Sequence, residues 1–412
     1  MVWLRRASRS FIAAAMLAAN WPGPAFAGRA GFPALWTGFE KCDDDVRDVI
    51  ADTCVRIKVI PAFFQSPAGV RWSLPLPAGK EVFVSGSFQS FRDERDAVWE
   101  GDVVDDPYGT ASFVQVNHGL VGRVSLSTGD WYRLRLDRDG NSLLEGLKRN
   151  VITPDLPARV VPPLVRKSAK AVCPMDLQGP IRILVVYTPA ARDYFEKTTE
   201  ELSAWISLAM SDADRSFEVS KAATRVILAD VRPTTYKELN MGTDHLRLID
   251  ANDEYLNEIH GWRKDAAADL VVLVTQDPQD SGVASQFTND DLEATDFASR
   301  AFAVVSVRAL TGSFVFTHEI GHLMGALHDE QASKGTVGAY NWSHGSFQEN
   351  PTAPCLPWKS IMAWCPKCAP RLIWSNPMAD ACGDAMGGKS TEDNARTISD
   401  TAPTIENLNC GL

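Results

Sequence analysis

His318-Glu319-Ile320-Gly321-His322-Leu323-Met324-Gly325-Ala326-Leu327-His328-Asp329 is the stretch that decides how this chain is read. His318 and His322 are four residues apart, so on a helix both imidazoles leave the same face one turn apart. That spacing lets two neutral imidazole nitrogens reach a single Zn2+ ion. Glu319 neighbours the first histidine and is placed to take a proton from a metal-activated water. His328 would face away if the helix ran on. Gly325 lies between them, and glycine tolerates the left-handed backbone that ends a helix and turns the chain back. With His328 as third ligand one position of the metal stays open, which is the catalytic arrangement of zinc. A structural zinc module would need a fourth protein ligand. Phe316, Ile320, Leu323 and Leu327 supply the apolar stripe that anchors the helix in a core. The bland alternative is an amphipathic helix with incidental histidines. Only seven histidines occur in the chain, and three stand here at ligand spacing.

The remainder of the chain frames that centre. At 412 residues it is long enough for two domains, and its 45% apolar and 23% charged content is ordinary for a globular protein. The net charge of −11 opposes binding to a phosphate backbone, and no long Lys/Arg run offsets it. Nucleic acid is therefore not an expected partner. Residues 1–27 read as a signal peptide, with Arg5, Arg6 and Arg9, an apolar run Phe11–Ala19 and a small-residue site ending at Ala27. The run is too short for a membrane anchor, so the product is expected to be secreted or periplasmic. Export permits disulfides among the eight cysteines. Cys42 and Cys54 are close enough to pair. Cys365-Pro-Lys-Cys368 reads as a structural disulfide element rather than half of a second zinc site, because no partner Cys-x-x-Cys exists.

Residues 28–165 read as a β-rich domain. Glu81–Phe88, Ala111–Val116, Leu120–Leu126 and Trp131–Leu136 alternate apolar and polar positions between turn-forming clusters. Asp137-Arg138-Asp139-Gly140 leaves Ca2+ open as a second ion. Ser142 stands where a calcium loop needs its turn glycine, so a hairpin turn is the preferred reading. Residues 166–180 read as an exposed linker, within the proline-rich stretch 151–180, where proteases cut. From 181 to 412 the pattern becomes α/β. Ile181–Tyr187, Thr224–Val231, Ala268–Thr275 and Ala301–Val307 read as strands of a mostly parallel sheet, buried at Ile181–Tyr187 and Ala268–Thr275. Helices are expected over about 190–219, 253–263 and 312–325. Nothing in the sequence sets an oligomeric state.

The zinc stretch resembles the metzincin metallopeptidases, whose extended motif is His-Glu-x-x-His-x-x-Gly-x-x-His followed by a Met-turn. Asp329 is similar to the reprolysin (adamalysin) branch, and the arrangement from Ile181 to Leu408 is most similar to the bacterial peptidyl-Asp metalloendopeptidase group. The resemblance implies a zinc endopeptidase acting on proteins or peptides, made as a proenzyme with its own propeptide as intramolecular inhibitor. It implies that Ser360-Ile361-Met362-Ala363-Trp364 is the Met-turn, with Met362 as an apolar floor, and that Asp329 supports a ligand or local backbone. It implies that Gly282, Val283 and Ala284 belong to the edge strand holding substrate backbone antiparallel. Lys367 and Arg371 would then lie where the residue after the scissile bond is received, and either would pair with an aspartate there. Cys173 admits two readings: a propeptide thiolate at the metal's open position, or a partner in a disulfide of the enzyme. A non-catalytic binding protein keeping the metzincin fold is the rival reading; it would be expected to lose Glu319, which is present.

Overall fold

The computed structural model describes residues 32–43, 47–90, 97–117, 119–148, 156–161, 179–195, 199–292, 297–353, 355–381, 383–388 and 390–411. The expected signal peptide and Cys173 lie outside these residues, as does most of the expected linker. No helix among the described residues is long and apolar enough to cross a membrane.

The N-terminal region is one antiparallel sheet of nine strands: β1 (Trp36–Lys41), β2 (Ala51–Val59), β3 (Arg71–Pro75), β4 (Glu81–Ser90), β5 (Ala97–Val103), β6 (Thr110–Val116), β7 (Gly119–Ser125), β8 (Trp131–Leu136) and β9 (Ser142–Leu147). Their order is β1-β2-β9-β8-β7-β6-β5-β4-β3, so each strand from β3 to β9 pairs with its sequence neighbour. The β8–β9 connection is the turn at Asp137. Its carboxylate accepts from the Asp139 and Asn141 backbone N–H groups, so the aspartate closes a hairpin.

Successive side chains of a strand leave opposite faces, and both faces of this sheet are apolar. One face carries Trp36, Trp72, Trp99 and Phe113, which with Phe63 of the helical turn Pro61–Gln65 form a separate core. The other face offers Val98, Val114, Val121 and Trp131, which join the core of the C-terminal region. A large apolar side chain contributes roughly 1.5–3 kcal/mol when fully buried. The second face is therefore an integral packing surface and not an incidental domain contact.

That core lies on one side of a five-stranded sheet ordered β11-β10-β12-β14-β13, built from β10 (Ile181–Tyr187), β11 (Val226–Pro233), β12 (Leu270–Thr275), β13 (Gly282–Ala284) and β14 (Phe302–Ser306). Strands β11, β10, β12 and β14 run parallel, and β13 at the edge runs antiparallel to β14. Leu270 to Thr275 are all buried, as an unbroken apolar run covered on both faces requires. The mixed, mostly parallel sheet matches the expectation. Helix α1 (Pro189–Asp193) is N-capped by Thr188, and α2 (Thr199–Ser220) lies between the two sheets, touching β6 and β7 as well as β11.

α3 (Met241–Ile249) and α4 (Glu258–Asp265) follow; α3 went unrecognised in the sequence, and α4 is shorter than the expected 253–263 helix and starts later. The helix expected over 312–325 is shorter at both ends, and a separate short helix precedes it. α5 (Val307–Gly312) stops at Ser313, whose backbone is extended and whose hydroxyl donates to Ala309 O at 2.8 Å. α6 (Val315–Leu323) then carries the histidines. Beyond it come α7 (Glu330–Ser333), the small strands β15 (Phe347–Gln348), β16 (Trp358–Lys359) and β17 (Ala369–Pro370), the hairpin β18 (Asn376–Ala381) with β19 (Asp384–Met386), and α8 (Asn394–Ile405).

Cys42–Cys54 and Cys365–Cys368 form disulfides, and Cys355 is disulfide-bonded to a partner outside the described side chains.

Candidate active site

α6 leaves β14 through α5 and buries both histidine-bearing turns against the sheet. His318 and His322 project from one face, as the four-residue spacing requires. Met324 N–H donates to Ile320 O at 3.1 Å, and Ala326 N–H reaches back to Gly321 O at 2.9 Å, which ends the helix. Gly325 then takes φ +88°, and a side chain there would also meet Ala339 Cβ at 2.6 Å. Both the conformation and the space demand glycine.

The turn returns His328 to the other two. His328 Nε2 lies 3.0 Å from His318 Nε2 and 3.2 Å from His322 Nε2. The opposite nitrogens fix the tautomers: His318 Nδ1 donates to Ile361 O at 2.9 Å, and His322 Nδ1 lies 3.0 Å from Ala326 O and 3.1 Å from Gln286 Oε1. With the proton on Nδ1, the Nε2 lone pairs of His318 and His322 face the common centre. Three converging lone pairs in a largely buried setting repel one another unless a cation lies between them. These three histidines are the one cluster of metal-binding type found among the described residues, and the donor set suits Zn2+.

Glu319 is fully buried beside the triad. Gly282 of β13 packs against it so closely that a Cβ there would fall 2.2 Å from Glu319 Oε1. Val283 and Ala284 continue the buried edge strand. Asp329 accepts from Gln331 and Ala332 N–H through Oδ1 at 3.1 Å each, capping α7. Its Oδ2 accepts from Trp364 N–H at 2.8 Å. One carboxylate thus ties the His328 segment to the 360–364 turn. Met362 is fully buried in that turn, and Gly321 packs against it and Trp374: a Cβ on Gly321 would lie 2.8 Å from Met362 Sδ and 2.6 Å from the Trp374 ring.

A cavity of about 480 Å³ opens beside His318. Lys367 lines it and is exposed. Arg371 does not line it: its guanidinium is buried, stacked 3.5 Å from the Tyr108 ring of the N-terminal region. Gln286, the Ile361 carbonyl and Lys359 are the neighbours that sequence reading missed. A backbone carbonyl leaves no signature in a sequence, and Gln286 and Lys359 meet the site only through tertiary pairing.

Residues 156–161 lie along the outer edge of β13. Leu156 N–H donates to Gly282 O and Arg159 N–H to Ala284 O, each at 2.9 Å, and Gln286 N–H donates to Arg159 O at 2.8 Å. The two segments run parallel. The outer edge of β13 is therefore covered by the chain itself.

The family model described as Metallo-peptidase family M12 matches residues 178–372. The peptidyl-Asp metalloendopeptidase of Stenotrophomonas maltophilia (strain K279a) is 32% identical over 339 residues, covering 80% of this chain and 77% of that protein. The peptidyl-Asp metalloendopeptidase of Xanthomonas campestris pv. campestris is 31% identical over 309 residues, covering 73% and 70%. A 69-residue stretch is 41% identical to the peptidyl-Asp metalloendopeptidase of Pseudomonas fragi, covering 16% of this chain and 44% of that protein.

Proposed function

The chain belongs to metallopeptidase family M12 and is a metzincin-like zinc metalloendopeptidase, and from that premise we propose a secreted proenzyme that cuts before aspartate with Glu319 as its general base. The observation that carries the reading is the convergence of three imidazoles on one point, with a buried carboxylate alongside and a substrate edge against it. His318, His322 and His328 would hold the zinc, which would supply a Lewis acid and lower the pKa of a bound water toward about 7. Glu319 takes a proton from the attacking water and delivers it to the leaving amine. Burial of Glu319 keeps that proton from exchanging with solvent. Gly282–Ala284 receive the substrate backbone through main-chain hydrogen bonds, at the edge positions of β13 that residues 156–161 cover in this chain.

The same edge supports latency. In a productive complex of this family the substrate runs antiparallel to the edge strand, whereas residues 156–161 run parallel to it. A reversed segment offers its carbonyls and N–H groups in the wrong order at Glu319, so it covers the cleft without being cut. The N-terminal sheet is accordingly read as a propeptide, docked on α2 and α5. Export is supported by the basic–apolar–small pattern of residues 1–27 and by disulfides that suit an oxidising compartment.

The test is a map of cut sites. Matured protein and its Glu319→Ala variant are incubated with a denatured protein mixture, and new termini are read by mass spectrometry. Cuts that vanish with the variant, a loss on the order of 10²–10⁴-fold or more, support the general-base role. Enrichment of aspartate after those cuts supports the specificity. Equal cutting by Glu319→Ala would remove Glu319 from the mechanism.

A further inference from the structure

The cavity beside His318 is lined by Lys148, Lys359 and Lys367, and none of its described lining residues is an aspartate or glutamate. Such a lining attracts a carboxylate and repels a basic side chain. The three lysines are not equivalent. Lys148 belongs to the N-terminal region, beyond the end of β9, and its Nζ donates to Val49 O at 2.7 Å. It leaves with that region on maturation. Lys367 is exposed on the loop closed by the Cys365–Cys368 disulfide, where water and salt screen its charge.

Lys359 differs from both. It is half-buried, and its backbone is held on two sides, opposite Phe347 of β15 and Pro370 of β17. Its carbonyl accepts from Arg371 N–H at 2.9 Å. Two residues on, Ile361 gives its carbonyl to His318. The segment that carries Lys359 thus continues directly into the turn that orients a histidine of the triad. An ionic contact in a partly desolvated wall is worth several times the same contact in water.

We propose that Lys359 is the specificity-determining residue of this peptidase, pairing with the acidic side chain that follows the scissile bond. The inference rests on the peptidase reading above. Ile361, Ala363 and Pro370 give the apolar part of the wall, so the carboxylate meets its cation with little competing water.

Matured wild type, Lys359→Met, Lys359→Arg, Lys359→Glu and Lys367→Met are compared on peptides that differ only in the residue after the scissile bond: Asp, Asn or Lys. Wild type prefers Asp to Asn in kcat/KM. Lys359→Met lowers that ratio at least about thirty-fold, as expected for removal of one partner of a desolvated pair. Lys359→Arg restores most of it, Lys359→Glu moves the preference toward Lys, and Lys367→Met changes the ratio only a few-fold. Zinc content and thermal unfolding of each variant establish that it is folded, and Lys359→Arg serves as the measurable variant if Lys359→Met is not. An unchanged ratio in Lys359→Met, or its loss in Lys367→Met, overturns the inference. Equal cutting before Asp and Asn by wild type overturns the aspartate preference itself, and shows it without any variant.

Discussion

Gly282 has no side chain, and Glu319 depends on that. A Gly282→Ala methyl would sit 2.2 Å from Glu319 Oε1, closer than any non-bonded pair allows, so the carboxylate must move. If Glu319 is the general base as proposed, displacing it by about 1 Å is expected to lower kcat on the order of 10²-fold. Metal analysis should still find one zinc per chain; full activity in Gly282→Ala would refute the placement. Asp329 tests the opposite side of the centre. Asp329→Ala removes the cap of α7, about 1 kcal/mol, and the acceptor for Trp364 N–H. The expected outcome is faster zinc loss to a chelator with little change in initial rate. The triad and Glu319 were legible because their spacing is local: four residues on a helix, then a glycine that turns the chain. Gln286 and Ile361 were not, because a partner recruited from another element has no fixed distance in sequence. The Tyr108 ring that covers Arg371 was hidden for the same reason, since nothing near Arg371 in sequence foretells it.

Single elements were read unevenly, and α2 explains why. Its existence follows from its periodicity, but which sheet each face meets does not. Glu201 at its start is buried against β8, where its carboxylate accepts from Leu136 N–H at 3.2 Å. Burial pushes Glu201 up to about 7, a rise that this hydrogen bond and Arg135 and Arg133 only partly offset. A carboxyl raised from 4.5 contributes its stability in full below about pH 4.5 and loses it as the pH rises through 7. At 1.36 kcal/mol per unit the effect is on the order of 3 kcal/mol. Glu100 on β5 is likewise pushed up to about 7 by burial, against the pull of Arg215. The intact chain should therefore have a lower Tm at pH 8 than at pH 5.5, and Glu201→Gln should flatten that difference. An unchanged slope would count against a buried, neutral Glu201. α6 teaches a similar lesson. Apolar periodicity runs through 312–325, yet the backbone becomes extended at Ser313 and the helix starts only at Val315, a break that side-chain periodicity does not register.

At the level of the whole molecule, the strand alternation of the N-terminal half foretold a sheet, and the unbroken apolar runs foretold a parallel one after it. The contact between them was hidden. Arg123 of β7 is buried against the C-terminal region, paired with Asp212 of α2, donating to Ser313 O at 2.8 Å and lying over the Phe314 and Trp131 rings. An arginine in an alternating strand reads as solvent-facing until its partner is known. Breaking one side of such a pair leaves a buried charge uncompensated, so Arg123→Met is expected to destabilise the intact chain by about 3–5 kcal/mol. Denaturant unfolding measures this, and a loss under 1 kcal/mol would make the pair incidental.

The backward lie of residues 156–161 also sets a clock. If that segment blocks the cleft as proposed and another molecule removes it, activation is bimolecular. If mature enzyme performs that cut, the rate follows the product of mature-enzyme and proenzyme concentrations and so accelerates as product accumulates. The time course has a lag, and a trace of finished enzyme abolishes it. Under that scheme a dilute proenzyme waits while a crowded one fires, so local concentration would decide when the peptidase turns on.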